Sequence, residues 1–286
     1  MKVDRSVTGP SVFVAVTLAL TWVTCAFVTD GWSDEGTPTT RLLRASLQYA
    51  ALVGWQPLVA LLLARRVVDP TFVDHAERTI SRRFTWFSFA IPIGLLAGAT
   101  LVDLIATPSP ERVDNLLRVD GASVVVAVCA FVGVVAVLWV QALVEELAWR
   151  GYVLPRLMEL LGPWLGLFTH GLLWGACYAP VFLLRAGDVP LIRMVGFAVT
   201  CGLLGTVLGW LRLASGSIAA SAACNATLTI CAGLPLVLQG VSFPLGAVFE
   251  PQGWAPMLLL VFLIAGRSPL RASIAIPQRR VPEHRN

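Results

Sequence analysis

The chain has 286 residues, of which 57% are hydrophobic and 13% charged, and its formal net charge is +4. A soluble domain carries about 25% charged residues, so this composition excludes an ordinary soluble protein and indicates an integral membrane protein. The basic residues, all arginine except Lys2, flank apolar segments and do not form a stripe with aromatic residues. We therefore expect no nucleic acid among its partners.

Apolar runs long enough to cross a bilayer, at about 20 residues each, recur along the whole chain. They predict an all-α, polytopic membrane bundle of about eight transmembrane helices. We expect residues 1–286 to form a single integral membrane domain, with a disordered cytoplasmic tail at 268–286. The runs cover residues 10–29, 45–64, 84–106, 121–144, 162–183, 192–212, 216–238 and 253–266.

The distribution of basic residues predicts the orientation of this bundle. Most of the 21 lysine and arginine residues fall in segments on the same side of the membrane as the two termini. Because cytoplasmic segments carry the excess of basic residues, we expect both termini in the cytoplasm. The bias toward arginine, alanine, valine, glycine and leucine is typical of a GC-rich bacterial genome, so the membrane is expected to be a bacterial plasma membrane.

Small residues inside the apolar runs indicate close packing. Gly205 and Gly209 form a GxxxG pair, which favours close approach of helices in membranes. The six cysteines all lie in apolar runs without CxxC spacing, so we interpret them as packing residues and not as a disulfide framework.

Two carboxylates and an arginine stand at the end of the fourth run. Glu146 and Arg150 are four residues apart, so on a helix they face each other. Glu145 points about 100° away, which leaves its carboxylate free for chemistry. The alternative is a charged helix end or a purely structural ion pair. Ionisable groups in membrane segments are usually paired or functional.

The sequence around these residues resembles the CPBP family, which comprises intramembrane CAAX proteases and bacteriocin-processing or immunity proteins, also called Abi proteins. The resemblance covers about residues 130–235 and implies an eight-helix fold. It also implies hydrolysis of peptide bonds by a water that a glutamate activates. The matching motifs are Glu145-Glu146-x-x-x-Arg150-Gly151-Tyr152, Leu154-Pro155-Arg156-Leu157, Trp174-Gly175-Ala176-Cys177-Tyr178, Gly205-x-x-x-Gly209-Trp210-Leu211 and Gly216-Ser217-Ile218-Ala219-Ala220.

Both histidines of the family pattern are replaced. Tyr178 stands where the family has the histidine of Phe-x-x-x-His, and Asn225 where it has that of His-x-x-x-Asn. His75 falls in a charged inner loop and His284 in the tail. His170 precedes Tyr178 by eight residues, about 12 Å along a helix and about 80° around it. We therefore expect His170 to be a packing or interfacial residue.

These replacements bear on the cofactor. The resemblance implies zinc in some accounts of the family, but a zinc site needs three or four N, O or S ligands. We therefore favour a metal-free scheme in which Glu145 is the base and Tyr178 and Asn225 donate hydrogen bonds to the oxyanion. A soft-metal site of Glu145, Cys177 and Cys224 is a minor alternative.

Two functional hypotheses follow. The first is an intramembrane endopeptidase that acts at the cytoplasmic membrane face, with Glu145, Glu146, Arg150, Tyr178 and Asn225 as its catalytic set. The second is an inactive family member, a pseudoenzyme that binds a hydrophobic peptide or lipid in an immunity or scaffold role. A transporter with a Glu–Arg gate is a weaker third, because no pair of broken helices recurs in the two halves. The expected partners are membrane lipids and a hydrophobic or membrane-anchored peptide.

Overall fold

The structure is a computed structural model that describes residues 5–27, 54–68, 70, 79–106, 124–185, 191–239 and 251–267. Within these ranges the chain is helical and contains no strand, so the all-α membrane bundle predicted from the sequence is confirmed. The helices are α1 (Arg5–Phe27), α2 (Gln56–Leu63), α3 (Arg82–Ala106), α4 (Val124–Glu146), α5 (Leu154–Leu161), α6 (Pro163–Ala176), α7 (Ala179–Arg185), α8 (Leu191–Ser215), α9 (Ile218–Gln239) and α10 (Trp254–Arg267).

Every predicted apolar run is largely helical in its described part. Three of the described helices are long and apolar enough to cross a membrane, and two further apolar helices are shorter. The predicted tail at 268–286 and His75 lie outside the described residues. The three long segments are Val7–Phe27, Arg82–Val102 and Leu191–Ser215, and the shorter ones are Ile218–Ile230 and Trp254–Gly266.

Two predicted boundaries were wrong. The run at 162–183 was predicted as one helix, but α6 ends at Ala176 and α7 begins at Ala179 after a turn. Pro180 explains the break, because proline has no backbone N–H and its ring clashes with the carbonyl four residues earlier. The fourth helix, conversely, continues past its predicted end through a π-helical segment, Leu147–Val153, into α5.

Helices α6 and α8 share the most extensive interface among the described elements. Gly205 of α8 lies so close to Gly171 of α6 that a Cβ at either position would overlap the backbone of the other helix. A Cβ at Gly209 would likewise overlap Leu167. The close packing predicted from the GxxxG pair is therefore confirmed, and it fixes α6 against α8.

Helix α9 packs against both α3 and α4. A hydrogen bond from Ser88 Oγ of α3 to the carbonyl oxygen of Ala220 spans 2.8 Å and joins α3 to α9 inside the bundle. On the other side, the Phe13 ring of α1 meets the Trp149 ring edge-to-face at 5.0 Å between centroids. The end of α4 and the π-helical segment are thereby enclosed on several sides.

The cysteines of the described core behave as packing residues. Four of them are buried in the hydrophobic core. A Cβ at Gly175 of α6 would meet the Cys201 side chain of α8. The predicted packing role is confirmed for these four, which are Cys25, Cys177, Cys201 and Cys224.

Candidate active site

Four elements bring the predicted site residues together in the interior of the bundle. Glu145 and Glu146 end α4, Arg150 lies in the π-helical segment that follows, Tyr178 lies in the turn between α6 and α7, and Asn225 lies in α9. All five side chains are buried, and the most exposed, Tyr178, is only 8% accessible.

Glu146 and Arg150 form a buried ion pair. Arg150 Nη1 lies 2.8 Å from Glu146 Oε1, as the spacing of four residues predicted. The Arg150 guanidinium also stacks over the Trp174 ring, 4.5 Å from its centroid. Arg150 is thus held by a carboxylate on its own helical run and by an aromatic face on α6, and both contacts favour the charged guanidinium.

Glu145 is held by the two residues that replace the family's histidines. The Tyr178 hydroxyl donates to Glu145 Oε1 at 3.1 Å, and Asn225 Nδ2 donates to Glu145 Oε2 at 3.1 Å. Asn225 Nδ2 also donates to Glu146 Oε1 at 3.2 Å, so the amide bridges the two carboxylates. These side chains converge on Glu145 in the structure, whereas their catalytic roles remain predictions.

The donor protons of this network are fully used. A tyrosine hydroxyl has one proton to donate and an asparagine amide has two. In this structure the Tyr178 proton points to Glu145, and the amide protons of Asn225 serve Glu145 and Glu146. Either residue can therefore donate to a substrate oxygen only after it releases a carboxylate oxygen.

Other polar residues near the site have structural contacts. His170 is fully buried and meets the Trp149 ring edge-to-face at 5.7 Å, which fits the packing role predicted for it. Thr229 Oγ1 donates to the Asn225 carbonyl at 3.0 Å, a bond within α9. Neither contact places a catalytic group beside Glu145.

Trp174 is the site residue that the sequence interpretation missed. Its ring contacts Arg150 on one face and meets the Tyr178 ring edge-to-face at 6.1 Å. The available signal was the spacing, because residues four apart, such as Trp174 and Tyr178, would share one face of a continuous helix. The contact of Trp174 with Arg150 depends on the placement of α6 against the π-helical segment.

The donor set does not fit a zinc ion. Among the described residues no three histidine, cysteine, aspartate or glutamate side chains come together as a metal site. The alternative soft-metal site of Glu145, Cys177 and Cys224 was therefore wrong. The atoms that do contact Glu145 are a phenol and an amide nitrogen, which serve carboxylates as hydrogen-bond donors.

Comparison with known families bears on the same segment. Residues 127–231 match the family model for type II CAAX prenyl endopeptidase Rce1-like proteins. That model describes proteins of the CPBP family. The match confirms the resemblance predicted for about residues 130–235, and it contains all five residues of the predicted site. No curated protein matches the chain at a significant level.

The family assignment and the apolar helices together identify an integral membrane protein. The CPBP-family segment spans α4 to α9, the elements that enclose Glu145 and Glu146. The remaining described helices, α1 to α3 and α10, pack around it.

Proposed function

We propose that the protein is a CPBP-type intramembrane endopeptidase that hydrolyses peptide bonds with a water activated by Glu145. The observation that carries the proposal is the buried Glu145 carboxylate, held in place by Tyr178 and Asn225 beside a separate ion pair. A base that is fixed by hydrogen bonds and removed from bulk water is suited to proton transfer. Family membership of residues 127–231 supports the same reaction class.

The network suggests an order of events. Glu145 takes a proton from a water, and the resulting hydroxide attacks the carbonyl carbon of the peptide bond. Protonation of Glu145 weakens its hold on Tyr178 and Asn225, so their protons become free to stabilise the new oxyanion. The proton on Glu145 then passes to the amide nitrogen as the C–N bond breaks. Glu146 and Arg150 keep Glu145 oriented throughout.

The proposed setting is a bacterial plasma membrane with both termini in the cytoplasm. In that orientation the end of α4 lies at the cytoplasmic face. The proposed substrate is a hydrophobic or membrane-anchored peptide that reaches Glu145 from the bilayer or from that face. Membrane lipids surround the bundle, whose exposed side chains include many large apolar ones.

The test is cleavage of membrane-anchored peptides by the purified protein in detergent or liposomes. Glu145→Gln keeps the shape of the side chain but removes the base, and we expect a loss of about 10²–10⁴-fold in kcat/KM, the usual contribution of a general base. Glu159→Gln is the matched control, because Glu159 is exposed on α5. If Glu145→Gln cleaves as fast as the wild type, Glu145 is not the base and the proposal fails.

A second candidate function is non-catalytic binding of a hydrophobic peptide or lipid. The observation that favours it is the closed network, in which every donor proton of Tyr178 and Asn225 is already directed at a carboxylate. Such a network would also hold the helices together in a protein that has lost its chemistry. If the wild type cleaves no peptide and Glu145→Gln still loses the biological effect, binding is the better account.

A further inference from the structure

Beside the carboxylate network lie three buried hydrogen-bond donors without a partner in the described part of the chain. They are Nε and Nη2 of Arg150 and Nε1 of Trp174. The two side chains are 1% and 3% exposed, respectively, so bulk water does not serve these donors. Buried donors are normally paired, and an unpaired one is costly.

The arrangement of these donors has a chemical preference. Arg150 uses Nη1 for Glu146, which leaves the Nε–Nη2 edge, where two parallel N–H groups match two oxygens or one bifurcated oxygen. The guanidinium stacks on the Trp174 ring, 4.5 Å from its centroid, so the unpaired indole N–H belongs to the side chain that Arg150 contacts. All three atoms are unpaired donors, whereas the donor protons of Tyr178 and Asn225 are already directed at the carboxylates.

We propose that Arg150 and Trp174 form a subsite that binds a carbonyl-type oxygen of a peptide ligand. The oxygen comes either from the peptide backbone or from a C-terminal carboxylate. The inference rests on the proposed function only in taking a peptide as the ligand, and it holds whether or not that peptide is cleaved. Because both side chains are buried, the ligand reaches the subsite when α6 moves away from the π-helical segment.

The experiment measures binding and not cleavage. The probes are an N-acetylated aliphatic tripeptide with a free C-terminal carboxylate and the same tripeptide as its carboxamide, titrated into the purified protein in detergent. Trp174→Phe retains an aromatic face for Arg150 and removes the indole N–H together with the five-membered ring. We expect it to weaken binding of at least one probe about tenfold, the effect of losing one hydrogen bond to a ligand oxygen. Trp164→Phe, at a partly exposed position on the same helix, is the matched control and should bind like the wild type.

A spectroscopic readout separates this role from a structural one. In protein labelled with ¹⁵N-tryptophan, the indole resonance that disappears in Trp174→Phe should shift downfield when a probe is added to the wild type. A loss confined to the carboxylate probe identifies the terminal carboxylate as the bound group, and an equal loss for both identifies a backbone carbonyl.

The proposal is overturned if Trp174→Phe binds both probes as the wild type does, or if neither probe shifts the Trp174 resonance. These outcomes differ from failure of the proposed function. The proposed function fails if Glu145→Gln retains cleavage, and that result does not affect the binding measurement.

Discussion

At the residue scale, two substitutions determine which chemistry the site can support. Tyr178 and Asn225 contact Glu145 directly, with both donor–acceptor distances at 3.1 Å. Zinc in proteins is bound by imidazole, thiolate and carboxylate groups, and neither a phenol nor an amide nitrogen belongs to that set. In the metal-dependent scheme proposed for the family, the residues at these two positions bind the metal. Here Tyr178 and Asn225 instead bind the Glu145 carboxylate by hydrogen bonds.

This argument predicts the effect of restoring the family pattern. We expect the double variant Tyr178→His/Asn225→His to bind about one zinc per chain, because imidazole nitrogens would join the carboxylates as ligands. Either single variant should bind less tightly, since it offers one ligand fewer. The wild type should contain no stoichiometric zinc. Elemental analysis of the purified, detergent-exchanged proteins measures this directly. One zinc per chain in the wild type would contradict the metal-free scheme.

The same residues show what could be predicted from the sequence. The contact between Glu146 and Arg150 followed from helical spacing alone, because residues four apart are neighbours on a helix. The approach of Tyr178 and Asn225 to Glu145 needed the family resemblance, since these residues are 33 and 80 positions away. The stacking of Arg150 on Trp174 could not be predicted, because it depends on how α6 is rotated against the π-helical segment.

At the element scale, glycines rather than apolar bulk set the position of α6. Gly205 and Gly171 let the backbones of α8 and α6 come into contact, and Tyr178 follows directly after α6. The tight helix contact was predictable from the GxxxG spacing. The end of α6 was not predicted, because the apolar run continues across Pro180 and hydropathy alone does not reveal the break that the proline causes.

The helix contact predicts a difference between two glycine substitutions. Gly205→Ala places a methyl group against the Gly171 backbone, and we expect a loss of about 1–3 kcal/mol in stability, as for other overpacked cores. Gly94→Ala is the matched control in α3, because a Cβ there meets nothing within 4 Å. It should be neutral or stabilising by up to about 1 kcal/mol, since alanine favours the helix. Thermal unfolding in detergent compares the two.

A shift of α6 would also move Tyr178 away from Glu145. Gly205→Ala should therefore lower the activity or binding of the protein by more than its loss of stability explains, when assayed well below its unfolding temperature. If Gly205→Ala and Gly94→Ala unfold at the same temperature, the close packing of α6 and α8 does not contribute to stability as argued.

At the scale of the whole molecule, the orientation in the membrane decides which side of the bilayer supplies the substrate. Arginines cluster in a second π-helical stretch, Ala64–Val68, which continues α2 and contains the exposed Arg66. They cluster again at the start of α3. In the predicted topology these clusters face the same side as both termini and the end of α4. The positive-inside rule places that side in the cytoplasm.

Reporter fusions test this orientation. We expect green fluorescent protein fused to either terminus to fluoresce and alkaline phosphatase fused to either terminus to be inactive, because the phosphatase matures only outside the cytoplasm. Alkaline phosphatase inserted near Arg112, in a predicted outer segment, should be active and serves as the control. Active phosphatase at the termini would reverse the orientation. Glu145 would then lie at the outer face, and a cytoplasmic peptide could not be its substrate.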